Sequence, residues 1–89
     1  MEQALILGKI SYRAPDNVLE NIKKINGVKE ANLVFGPYDF YVTITTETKK
    51  MMGDIALQIR SIEGIVDSLT CYVVNHSDIR PDEQGAFIE

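Results

Sequence analysis

One phrase occurs twice in this chain of 89 residues, and the repetition limits the folds open to it. Ile22-Lys23-Lys24-Ile25-Asn26-Gly27-Val28-Lys29-Glu30-Ala31 returns 37 residues later as Ile59-Arg60-Ser61-Ile62-Glu63-Gly64-Ile65-Val66-Asp67-Ser68. Isoleucine, base, isoleucine, glycine, branched apolar residue, acid and small residue recur in register. In each copy two isoleucines three apart close a helical stripe, a glycine stops the helix, and a branched residue opens a strand. Each copy therefore marks the middle of a β-α-β unit.

Reading outward from the copies gives the other elements. Ala4–Ile10 is a short apolar run suited to a strand buried on both faces, with Gly8 marking a bend or close approach. Arg13-Ala14-Pro15-Asp16 opens the first helix, since proline fits a first turn and an acid suits the positive end of the helix dipole. Val18, Leu19, Ile22 and Ile25 form its apolar stripe. Val28–Phe35 and Tyr38–Thr46 are the second and third strands, joined tightly through Gly36-Pro37 and hence antiparallel. Phe40, Val42 and Ile44 alternate with Tyr41, Thr43 and Thr45, so one face of the third strand goes to the core. Thr48 is a candidate cap for the second helix, whose stripe is Met52, Ile55, Ile59 and Ile62. Val66–Val74 is the fourth strand.

The order β-α-β-β-α-β with right-handed crossovers predicts an α+β, ferredoxin-like fold. It consists of a four-stranded antiparallel sheet with both helices on one face. Residues 1–75 make this domain, and 76–89 form an acidic tail in which Ala86-Phe87-Ile88 is apolar enough to dock. Tyr41, Thr43, Thr70, Tyr72 and Val74 are assigned to the sheet face without helices. That face is too apolar to stay solvated and too poor in charge for nucleic acid, so Tyr41, Thr43, Tyr72 and Val74 are assigned to a dimer interface. Self-association also suits a chain that buries only roughly 60–65% of its unfolded surface.

Charge and composition narrow the function. The net charge is −4, and most of it sits in the tail, where Asp78, Asp82, Glu83 and Glu89 face a single Arg80. The bases of the nearly neutral body are scattered, whereas duplex binding needs a basic face. Direct DNA binding is therefore not expected. No apolar run approaches the roughly 18 residues of a membrane span. No secretory pattern opens the chain, and the lone Cys71 has no internal disulfide partner, which together predict a cytoplasmic protein.

Catalysis is poorly supplied. His76 is the only histidine and lies where the last strand runs into the tail. Cys71 reads as a small packed hydrophobe within a strand. No C-x-x-C and no His/Cys pair at ligand spacing is present, so no metal or cofactor is expected. The anion loop of acylphosphatases, the aromatic and histidine set of small monooxygenases, and the basic aromatic segment of RNA-binding domains are all missing. An enzyme is not expected. Asp39 stands apart from the solvated acids because it follows Gly36-Pro37-Tyr38 at the mouth of a strand pair. It has two readings, a turn aspartate bonding backbone amides or an anchor for a ligand ammonium.

Val34-Phe35-Gly36-Pro37-Tyr38-Asp39-Phe40 resembles the G-x-Y-D turn in the effector-binding (RAM) domain of the Lrp/AsnC family of leucine-responsive regulators. The lead-in Ile25-x-Gly27-Val28-x-Glu30-Ala31 and the stretch Ile59–Val66 are similar as well, and the likeness spans residues 4 to 74. It implies dimers formed through the sheets, often assembling further, with a small effector, usually an amino acid, bound near the interface between dimers. The family's helix-turn-helix is not found in this chain, which therefore resembles the stand-alone effector domain. Such a domain responds to a ligand or forms mixed oligomers with full-length regulators. Carried over by residue, Gly36, Tyr38 and Asp39 match the ligand loop, and Ser68 and Thr70 match a T-x-T pair opening the last strand. A zwitterion needs donors for its carboxylate and an acceptor for its ammonium, and turn amides, one carboxylate and two hydroxyls supply both.

Overall fold

A computed structural model describes residues 1–74; the acidic tail expected over 76–89 lies outside the described residues. The elements are β1 (Glu2–Ile10), α1 (Val18–Lys23), β2 (Val28–Leu33), β3 (Phe40–Thr46), α2 (Lys49–Arg60) and β4 (Ile65–Tyr72). They form one antiparallel sheet in the order β2-β3-β1-β4, the ferredoxin-like arrangement read from the repeat. The core lies between sheet and helices: Ala4, Ile6, Phe40, Val42 and Ile44 below, and Val18, Ile22, Met52, Ile55 and Ile59 above.

The two copies of the phrase fold alike. Ile25 and Ile62 each donate a backbone bond three residues back, to Ile22 and Ile59, and both contacts are 3.1 Å long. Gly27 and Gly64 follow with the same φ of +104°, a conformation that L side chains rarely adopt. A β-bulge comes next in both copies. Val28 pairs with Ile44 but Glu30 with Thr43, which leaves Lys29 as the extra residue in β2. Ile65 pairs with Ile10 but Asp67 with Lys9, which leaves Val66 as the extra residue in β4.

The bulge in β4 corrects the faces assigned to Thr70, Tyr72, Val74 and Cys71. An extra residue reverses which face each later side chain takes. Ser68, Thr70 and Tyr72 stand opposite Gly8, Ile6 and Ala4, so they lie on the helix side of the sheet. Thr70 and Tyr72 are therefore not on the open face with Tyr41 and Thr43. Val74 leaves that face too: it borders a groove with Glu2, Lys49 and Tyr72 near the start of α2. Cys71 is exposed rather than packed, because it falls opposite Leu5 on the open face.

Local differences have local causes. Helix α1 has only six residues and begins at Val18, so Arg13–Asp16 lies in the connection before it and not in its first turn. Packing of Val18 and Ile22 holds a helix too short to persist alone. Thr48 caps α2 as expected, its hydroxyl accepting from the Met51 amide at 3.1 Å. The link between β2 and β3 is a six-residue loop over 34–39, closed by the Val34 amide donating to the Asp39 carbonyl at 2.9 Å.

Candidate functional site

Asp39 ends that loop and does a structural task. Its Oδ2 accepts from the Ile10 amide at 2.8 Å, and its own amide donates to the Gly8 carbonyl at 2.7 Å. Ile10 is where β1 shifts register against β4. The carboxylate thus satisfies a backbone donor at the bulge and ties the start of β3 to the end of β1. One carboxylate oxygen carries this bond, and the other has no hydrogen-bond partner among the described residues. Tyr38 beside it is half-buried, while Gly36, at φ +143°, is exposed.

Ser68 and Thr70 lie elsewhere. Strand β1 separates β4 from β3, so Ser68 and the mouth of β3 are two strand spacings, about 10 Å, apart. Ser68 borders a polar groove of about 140 Å³ with Arg60, Ile65, Val66 and Asp67, at the C-terminal end of α2. The Phe40 ring fills the space over Gly8 on the intervening strand. The Gly36–Asp39 turn and the Ser68/Thr70 pair are therefore not brought together within one protomer.

The sheet face opposite the helices gains residues that the sequence reading missed. Register places Leu5 beside Thr43 and Cys71, and Leu7 beside Tyr41 and Leu69. No other element among the described residues covers them, and Leu69 is 48% exposed there. Tyr41 is held in place on this face by the Asn32 amide, which donates to its hydroxyl at 2.9 Å. Leu5 and Leu7 were hidden in a run that is apolar on both faces, where periodicity alone assigns no side. Among the described residues no group of three or more His, Cys, Asp or Glu is placed to hold a metal ion. None of their helices is long and apolar enough to cross a membrane.

Known structures share this architecture. FFRP-DM1 is 31% identical over 83% of this chain and 100% of its own, with a TM-score of 0.73. A hypothetical protein from Pyrococcus horikoshii is also 31% identical, over 85% of this chain and 94% of its own, at 0.71. A transcriptional regulator from Neisseria meningitidis, solved as its L-methionine complex, is 19% identical over 84% of this chain and 51% of its own, at 0.73. This chain thus spans all or nearly all of the first two and about half of the regulator. No protein-family profile and no curated protein matches the sequence. The chain belongs to the Lrp/AsnC family, as a RAM-type domain.

Proposed function

We propose that this domain is a non-catalytic effector-binding and assembly module. It forms a homodimer or larger oligomer, binds an amino acid or related small metabolite at a subunit interface, and modulates transcription through that assembly. The observation that supports this reading is the sheet face around Leu5, Leu7, Leu69 and Tyr41, which no helix among the described residues covers. Covering Leu69, which is 48% exposed, contributes on the order of 1 kcal/mol, the partly buried Leu5 and Leu7 add less, and a second copy offers the same surface in return.

Ligand and assembly are linked through the divided site. The Gly36–Asp39 turn offers amides and a carboxylate oxygen, while Ser68 and Thr70 offer hydroxyls on another part of the chain. A neighbouring copy is needed to complete the pocket, so a ligand that fills it favours the assembled state. The L-methionine complex of the Neisseria meningitidis regulator supports an amino acid as the effector class.

The test is calorimetry against the twenty amino acids with the wild type, Asp39→Asn and Ser68→Ala. Heat from at least one amino acid, weakened about tenfold by either substitution, is the expected result. No binding, or binding indifferent to both changes, overturns the site.

A second reading is favoured by the coverage of the comparison. The regulator from Neisseria meningitidis shares this domain with about half of its length, and the matching half could pair with the same apolar face. The chain would then form mixed oligomers with full-length regulators and need no ligand. Co-purification with such a regulator supports this; strict homo-oligomers formed beside one rule it out.

A further inference from the structure

The repeated phrase builds two equivalent grooves, one beside the end of each helix at each outer edge of the sheet. Along β4 the groove is lined by Arg60, Ile65, Val66, Asp67 and Ser68. Along β2 it is lined by Lys23, Val28, Lys29, Glu30, Ala31 and Asn32. The offset of 37 residues matches Lys23 with Arg60, Lys29 with Val66, Glu30 with Asp67 and Ala31 with Ser68. In both grooves the first base comes from the last turn of a helix, and Lys29 or Val66 is the extra residue of a bulge. The two differ where chemistry enters. The β4 groove has a guanidinium in place of an ammonium, a hydroxyl in place of a methyl, and a valine in place of the bulge lysine. It is also tighter, at about 140 Å³ against about 430 Å³.

We propose that the β4 groove is the carboxylate subsite of the effector, with Arg60 as its anchor and Ser68 as a second donor. This rests on the effector reading above, and it adds a cation to a site otherwise supplied with hydroxyls, turn amides and Asp39. Arginine presents paired N–H groups that match the two oxygens of a carboxylate, which the ammonium of Lys23 cannot do. The Ser68 hydroxyl donates one bond more. Asp67 does not oppose an anion here, because its register partner is Lys9 on the other face of the sheet. Nor do the last carbonyls of α2 require Arg60. Those of Leu57, Gln58 and Ile59 already accept from the Ser61 amide and hydroxyl and from the Ile62 amide. A volume of about 140 Å³ is below the roughly 300–1,000 Å³ of sites that enclose a whole ligand. The groove therefore takes the charged end of a small molecule and leaves its side chain outside.

Calorimetry with the twenty amino acids, followed by the α-carboxamide of whichever binds best, tests this on the wild type, Arg60→Gln and Lys23→Gln. Both positions are exposed, and thermal unfolding of each variant checks that the fold is kept. The wild type is expected to bind the acid about tenfold or more tighter than the amide, because only the acid carries the negative charge. Arg60→Gln should weaken the acid about tenfold and bring acid and amide within about twofold of each other. Lys23→Gln removes the same charge from the equivalent groove and should leave both affinities as they are. A wild type that binds the amide as well as the acid overturns the proposal. So does an Arg60→Gln variant that keeps the preference for the acid. Equal losses in the two variants overturn it as well, since Arg60 then acts only through overall charge. Failure of the effector reading is distinct: no amino acid gives heat, and the groove falls with it. Binding that weakens with Asp39→Asn but not with Arg60→Gln keeps that reading and removes the groove from the site.

Discussion

At Gly8 the sheet leaves no room even for a methyl group, because the Phe40 ring crosses the strand at that point. A Cβ there would stand 2.3 Å from Phe40 Cζ, 2.5 Å from Cε2 and 2.9 Å from the Asp67 carbonyl. The ring is wholly buried and cannot swing aside cheaply. Gly8→Ala is expected to cost about 3 kcal/mol, read as a lower urea midpoint at unchanged slope. Asp39 allows its structural and binding roles to be separated. Asp39→Ala removes the acceptor for the Ile10 amide and should cost about 1 kcal/mol, the low end because water reaches this site. Asp39→Asn keeps an oxygen for that bond but loses the charge. Its midpoint should stay near the wild type while amino-acid binding weakens. Equal binding in Asp39→Asn would leave Asp39 with the strand-joining role alone.

Among the elements, the repeat carried most of what could be read in the sequence. Two isoleucines, a glycine and a branched residue correctly gave both helix ends and both following strands, because the same short-range geometry serves each copy. The bulge after each glycine was not legible, and it misplaced the faces of β4. Counting by twos from Ile65, which packs on the core, puts Cys71 inside and Tyr72 outside; the extra Val66 reverses both. A clue lay in the repeat itself, since Ser68 answers to Ala31, a small buried residue on the helix side. The candidate turn was legible as a motif. Its bond to Ile10 was not, since it joins residues 29 apart. The paired glycines give a test at this scale. Both substitutions to alanine are strained at φ +104°, but their surroundings differ. At Gly27 the new methyl meets the Ile55 Cδ1 end at 2.6 Å, which can rotate away. At Gly64 it meets Ala14 Cβ at 2.6 Å and Val18 Cγ2 at 2.9 Å, both close to backbone. Gly27→Ala should therefore cost about 1–2 kcal/mol and Gly64→Ala about 3 kcal/mol, as compared by denaturant midpoints.

At the scale of the whole molecule, the described residues make a sheet with one face roofed by helices and one face left open, and the proposed function depends on that asymmetry. Leu7 lies near the centre of the open face, between Tyr41 and Leu69. Leu7→Glu places a charge where a partner sheet would bury it, while in the isolated chain the side chain still meets water. Dimer dissociation should strengthen by about tenfold or more, with circular dichroism unchanged. If the dimer survives this change, it forms through another surface. The most direct measurement is light scattering over a range of concentrations, with and without each amino acid. The expected result is a mass at least twice the 10.0 kDa of the chain, shifted by at least one amino acid. A 10.0 kDa species at every concentration, unmoved by all of them, would contradict an effector-responsive assembly domain.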